Sequence, residues 1–170
     1  MVTDITRGIH QARANYLVAL GMLTYLEVIG GLITGDGGLI GKSRDNFNAA
    51  LAHMPPAYGV FQVKVVRPGT NPASGVYEIL RCSMVHQYTP SETFMVYANP
   101  GHRAAAGRLG FEWENLPGGS QRLAINTNEL LRDFKTLLVT MRHWISSQDA
   151  LYYPLIKKAL ERIDGYKLVP

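Results

Sequence analysis

Apolar positions follow helical spacing along most of the chain and strand spacing in one limited stretch. Ile9, Ala12, Tyr16, Ala19, Leu23 and Leu26 recur at three- and four-residue intervals, so a first helix is predicted from about Asp4 to about Gly35. The breakers in TGDGG, Thr34 to Gly38, stop it. A second helix is predicted from Ser43, read as its N-cap, to His53, where Met54-Pro55-Pro56 closes it. VFQVKVV, Val60 to Val66, alternates like a strand yet is short enough for a helical turn, and both assignments stay open. Beyond the loop RPGTNPASG, Ser74 caps a third helix that Thr89-Pro90 ends.

The pattern then changes. TFMVYAN, FEWEN and QRLAIN are short, rich in β-formers and separated by Gly/Pro loops, which predicts an inserted hairpin or small meander at about 93–125. Asn126, with Glu129 three places on, is similar to a capping box and opens a strong helix. Its apolar stripe is Leu130, Phe134, Leu137, Met141 and Ile145. ISSQD breaks the pattern, and a last helix follows from about Asp149 to Asp164, with Pro154 in its first turns and Gly165 as its stop. The fold class is therefore mainly α: an antiparallel bundle of four to five helices with a small β insertion, forming one domain over residues 1–170.

Composition narrows the setting. A chain of 170 residues, 46% of them hydrophobic, is long enough to bury a real core. Its formal net charge of +4, from 17 Lys and Arg against 13 Asp and Glu, favours a polyanion without the basic face of a dedicated nucleic-acid binder. Cys82 is the single cysteine, so no internal disulfide forms and a reducing, cytoplasmic setting is expected. Polar residues Thr6, Arg7, His10, Gln11 and Arg13 precede the first apolar run, unlike a secretory signal. Tyr16 to Ile33 has about the minimum length of a membrane span, but Glu27 in its interior favours a buried core helix, and no membrane partner is expected.

The candidate chemistry sits at the end of the third helix, in RCSMVHQY, Arg81 to Tyr88. At about 100° per residue, Val76, Tyr77, Leu80 and Met84 form its inward face, Arg81 and Tyr88 one flank, and Cys82 and His86 the other. Arg81 and His86 are roughly 140° apart around the axis on that spacing, so their cooperation requires a long reach or a second helix.

Arg81, four intervening residues, His86, one residue and Tyr88 resemble the R-x4-H-x-Y variant of the R-x4-6-H signature of HEPN domains. In that family Asn, Asp or His commonly follows the arginine, where this chain has Cys82. The order of elements is also similar: a long first helix, the motif near the end of a mid-chain helix, and a strong helix after it. The resemblance implies an all-α, metal-independent endoribonuclease of toxin–antitoxin or defence systems, or a degenerate nucleic-acid-binding relative. It implies a homodimer whose motif helices face each other, RNA as substrate, an antitoxin or other partner protein, and no cofactor or metal. Arg81 would hold the phosphate, His86 would transfer protons, and Ser83 and Tyr88 would support them. The alternative class is a non-catalytic helical dimerisation or protein-interaction module.

Plainer readings stand beside these. Arg81 can pair with Glu78, His86 can complement the helix C-terminus, and Tyr88 can edge the core. A Cys82–His86 thiolate pair lacks a nearby orienting Asn or Asp. GDGGLIGKS lacks the first glycine of a phosphate loop and the strand before it. The remaining histidines lack metal-ligand spacing. In GHRAAAGR, Arg103 and Arg108 are able to touch phosphate, with a solvated loop the simpler account.

Overall fold

The computed structural model describes residues 3, 5–6, 15–37, 39–61, 76–77, 94–99, 107–119 and 121–164. It is mainly α-helical with a small three-stranded sheet. We number the helices α1 (Asn15–Thr34), α2 (Ser43–Ala52), α3 (Thr127–Ser146) and α4 (Tyr152–Asp164), with a short 3-10 helix at Pro56–Phe61. The strands are β1 (Phe94–Tyr97), β2 (Phe111–Asn115) and β3 (Gln121–Asn126). Thr3, Ile5 and Thr6 are helical, Asp4 and residues 7–14 lie outside the described set, and the helix expected from about Asp4 is described from Asn15 onward.

Helix α1 is apolar on most sides because it is the central column. It packs against α2, α3, α4 and β1, and buries Val18, Ala19, Met22, Leu23, Leu26, Ile29 and Ile33. Among the described residues it is the one helix long and apolar enough to cross a membrane, and half of its most apolar window is buried inside the protein. Burial against three helices and a strand accounts for that composition. Gly35, with φ +73°, ends the helix in the left-handed conformation that glycine adopts without strain.

The crossing of α1 over α2 is set by small residues. A Cβ on Gly30 would overlap the Asn46 carbonyl, so the two backbones meet where no side chain fits. Thr34 Oγ1 donates to Asn46 Oδ1 at 3.1 Å, and Gly37 N donates to Gly31 O at 2.8 Å, folding residues 35–37 back on the helix end. From α4, Arg162 Nη1 donates to Gly35 O at 2.8 Å and fixes the other side of that turn. Ser43 proves to be the first helical residue of α2, not its cap. Lys42 holds the cap position with no side-chain bond, and Asp45 meets the helix dipole in the first turn.

The sheet has the order β1-β3-β2. β2 and β3 form the expected hairpin, antiparallel with Phe111 opposite Ile125 and Trp113 opposite Leu123. β1 instead runs parallel to β3, Phe94 opposite Leu123 and Tyr97 opposite Asn126, so the three strands are not a simple meander. Alternation puts Phe94, Val96, Phe111, Trp113, Leu123 and Ile125 on one face, where Phe94, Phe111, Leu123 and Ile125 are buried in the core. Met95, Tyr97, Glu112, Glu114, Arg122 and Ala124 share the opposite face.

Helix α3 follows β3 without a loop. Asn126 is its N-cap, accepting from the backbone of Asn128 at 3.1 Å and Glu129 at 3.4 Å. The return half of a capping box is replaced, because the Asn126 N–H donates to Gly110 O at 2.9 Å in the sheet. Leu130, Phe134, Leu137 and Met141 are buried as the stripe predicts, but Ile145 is exposed and Trp144 turns inward instead. Trp144 is drawn in by Tyr152 of α4, stacked on it at 3.9 Å between ring centroids, with His53 edge-on to both rings. The bend between α3 and α4 carries Gln148 at φ 50°, and Asp149 Oδ1 accepts from the backbone of Leu151 and Tyr152 to open α4.

Two predictions follow from this packing. Gly30→Ala forces the α1–α2 crossing apart and loses about 3 kcal/mol of stability, read from the urea midpoint. Burial lowers the His53 pKa below its ordinary 6.5. The unfolded chain therefore takes up this proton first as pH falls, and the stabilisation present above about 6.5 is lost below it. The melting temperature of the parent should fall more steeply from about pH 7 to about pH 5 than that of His53→Gln.

Candidate functional site

Arg81, Ser83, His86 and Tyr88 lie outside the described residues, as does Cys82. What is described of that region is its upstream anchor. Val76 and Tyr77 are helical; Val76 is fully buried, and the Tyr77 ring lies 5.6 Å from that of Phe47 in α2, tilted by 59°. Both belong to the inward face expected of the third helix, and the buried Val76 and the partly buried Tyr77 pack against the core as that stripe requires.

The described residues contain a second polar assembly that the sequence did not announce. It lies where the C-terminal ends of the parallel strands β1 and β3 meet the first two turns of α3. Glu129 and Asp133, four residues apart and therefore on one helix face, are both buried. Arg132 serves both: Nη1 donates to Glu129 Oε2 at 2.9 Å, and the guanidinium reaches Asp133 Oδ1 at 2.7 Å. It also donates through Nη2 to Arg108 O at 2.6 Å, and these neighbouring carboxylates raise its pKa. A buried charge is tolerated only when paired and hydrogen-bonded, and here one arginine answers two carboxylates.

The network continues in two directions. Toward β1, Asn99 Nδ2 donates to Glu129 Oε1 at 2.6 Å, Asn126 Nδ2 donates to Asn99 Oδ1 at 2.6 Å, and the Asn99 backbone N–H donates to Asn128 Oδ1 at 2.9 Å. Toward the 3-10 helix, the fully buried Tyr58 donates to Asp133 Oδ2 at 2.6 Å and accepts the Gly110 N–H at 2.8 Å. Burial first, and then that bond to Asp133, raise the Tyr58 phenol well above its usual range, so it stays a donor. Gly110 itself is pressed against Leu130, where a Cβ would lie 2.5 Å from the Leu130 Cα.

Beside this network is an open hollow of about 300 Å3 on the outward face of the sheet, lined by Met95, Tyr97, Arg108, Glu112, Trp113, Glu114 and Ala124. Arg108 Nε and Nη2 grip Glu112 Oε1 and Oε2 at 3.1 and 2.8 Å, and Arg122 Nε donates to Glu114 Oε2 at 2.6 Å. Arg108 thus has a partner of its own, more than the solvated-loop account expects. The buried acids are too enclosed to touch a ligand, so their part is to hold the strand ends and Arg108 in place. The hollow is where a ligand can enter. Among the described residues no group of three His, Cys, Asp or Glu side chains has the arrangement to hold a metal ion.

One signal for the network was present in the chain: Asn99, Asn126, Asn128, Glu129, Arg132 and Asp133 are polar groups beside apolar inward positions. Their convergence depends on parallel β1–β3 pairing, which spacing does not encode. Removing the Tyr58 hydroxyl with Tyr58→Phe leaves the Gly110 N–H and one Asp133 oxygen buried without it, and should cost about 2 kcal/mol in chemical denaturation. Compared with family models, curated proteins and solved structures, the chain matches none.

Proposed function

We propose that this chain is a metal-independent endoribonuclease of HEPN-like type, acting as a cytoplasmic homodimer in a toxin or defence setting. The observation that carries the proposal is the spacing Arg81-x4-His86-x-Tyr88, downstream of Val76, which is buried in the core, and Tyr77, which is partly buried against it. The mainly helical fold with a long central helix is consistent with it. In this reading the helices form an antiparallel bundle of four to five, and two motif helices face each other across the dimer axis. The roughly 140° between Arg81 and His86 is then bridged by groups from two protomers.

The chemistry uses the RNA itself as nucleophile. The ribose 2′-oxygen attacks the adjacent phosphorus as His86 takes its proton, and the bond from phosphorus to the 5′-oxygen breaks. The leaving oxygen receives a proton from an imidazolium, and the products are a 2′,3′-cyclic phosphate and a 5′-hydroxyl. Imidazole titrates near neutrality and suits both transfers. Arg81 offers a forked donor set to the charge that builds on the phosphate oxygens. Ser83 adds a hydrogen bond, and Tyr88 orients the phosphate or stacks on a base.

A second reading is a non-catalytic dimerisation or protein-interaction module. It is favoured by the apolar side chains that α1 leaves exposed, Leu17 at 63% and Val28 at 48%. One assay separates the two. In EDTA the parent should cleave single-stranded RNA to cyclic-phosphate ends, with His86→Ala and Arg81→Ala each slowed by about 100-fold or more. A dimeric parent that leaves RNA intact rejects the nuclease and supports the module.

A further inference from the structure

Helix α1 is covered on most sides, and what it leaves to solvent has a pattern. Leu17 and Val28 are 63% and 48% exposed, Thr24 is exposed, and Gly21 is half-buried with nothing within 4 Å of the place a Cβ would take. On a spacing of about 100° per residue these four fall within roughly 60° of arc, one outward stripe over about three turns. The stripe carries no charge. Glu27, the one charged residue of the helix, lies about 90° round from its centre on that spacing. Its single hydroxyl is already used, because Thr24 Oγ1 donates to Leu20 O at 3.0 Å, so it needs no outside partner.

The order of sizes along the stripe reads the same in both directions: large, small, small, large. Its midpoint lies between Met22 and Leu23. A second copy of α1 laid antiparallel across that midpoint sets Leu17 against the partner's Val28 and Gly21 against the partner's Thr24, and the two-fold axis repeats each contact. The flanks obey the same axis. Leu20 and Tyr25, partly buried and about 70° to either side of the stripe on the same spacing, also come opposite each other. The small pair at the centre lets two backbones approach closely, and the large pair closes the ends. An unrelated partner places no such demand on the stripe, whereas an isologous contact requires it to match its own reverse. The symmetry therefore selects a second copy of this chain. From Leu17 to Val28 the stripe is about 17 Å long. A contact of that length falls short of the roughly 1,200 Å2 buried in lasting complexes, so the pair is of the weak, exchanging class.

We propose that α1 is a self-docking surface, through which two copies of the chain pair antiparallel by Leu17, Gly21, Thr24 and Val28 in a weak two-fold contact. The inference does not rest on the nuclease reading, whose dimer axis runs between the motif helices. Where both contacts form, α1 joins dimers into tetramers; alone, it makes the dimer.

Sedimentation velocity of the full chain over a concentration series tests it. The parent should show a reversible association step. Leu17→Glu and Val28→Lys should each weaken that step about tenfold or more, because a lone charge is then pressed against an apolar partner. Combining the two should restore it to within about threefold of the parent, since the antiparallel register sets the introduced charges, of opposite sign, against each other twice. Gly21→Leu should abolish the step without lowering the melting temperature, because the added side chain meets open space in the single chain and the partner's backbone in the pair. A parent that keeps one mass across the series overturns the proposal, as does an association step that Gly21→Leu leaves intact. A double variant that associates no better than the single ones overturns the antiparallel register. Flotation of the parent with vesicles of phosphatidylcholine and phosphatidylserine, lost in Leu17→Glu, assigns the stripe to lipid and overturns the proposal too. RNA cleavage is scored separately: a parent that associates through α1 and cleaves nothing removes the ribonuclease alone, and one that cleaves without this step removes the α1 contact alone.

Discussion

The pairing of two buried carboxylates with one arginine is the constraint around which the described fold closes. Glu129 and Asp133 lie in the first two turns of α3, shielded from water, and Arg132 bonds to both. Such an arrangement adds little net stability, because desolvation offsets much of the attraction. Breaking it is another matter, since an uncompensated buried charge costs roughly 3–5 kcal/mol. The strand ends must therefore arrive where their amides and hydroxyls complete the set. Asn99 does so from just beyond the end of β1, Asn126 from β3, and Tyr58 from the 3-10 helix. The parallel placement of β1 beside β3 and the entry of β2 past Gly110 both satisfy that requirement.

The apolar side of the molecule obeys a different rule, that of close approach. α1 is buried by three helices and the sheet, and Gly30 lets α2 come against it with no side chain between. The same α1–α2 layer carries Phe47, the ring on which Tyr77 rests. Val76 and Tyr77, upstream of Arg81 and His86 in the chain, are thus packed against the core.

The outward face of the sheet carries an aromatic, acidic hollow beside the carboxylate network. Arg108 joins the two systems of bonds: its carbonyl accepts from Arg132 inside the network, and its guanidinium grips Glu112 in the hollow. Surface ion pairs of this kind contribute little to stability, so orientation of the carboxylate is the more telling consequence.

What was legible in the chain was whatever depends on neighbours in sequence. The central helix, α2 up to His53, the three strands, the Asn126 cap and the bend before α4 all follow from periodicity and local chemistry, as do the inward-facing Val76 and Tyr77. The errors were also local in origin. Ser43 is helical because Lys42 takes the cap position, and Ile145 yields the inward place to Trp144 because a stacking partner waits on α4. The motif residues Arg81, Ser83, His86 and Tyr88 were legible as a spacing, and a spacing is all that covalent order can supply. Which strands pair, and hence that Asn99 meets Glu129 and Tyr97 shares a face with Glu112, was decided by tertiary structure alone. These groups are separated by 15 to 30 residues of chain, and only burial of the carboxylates and closure of the sheet make their meeting favourable.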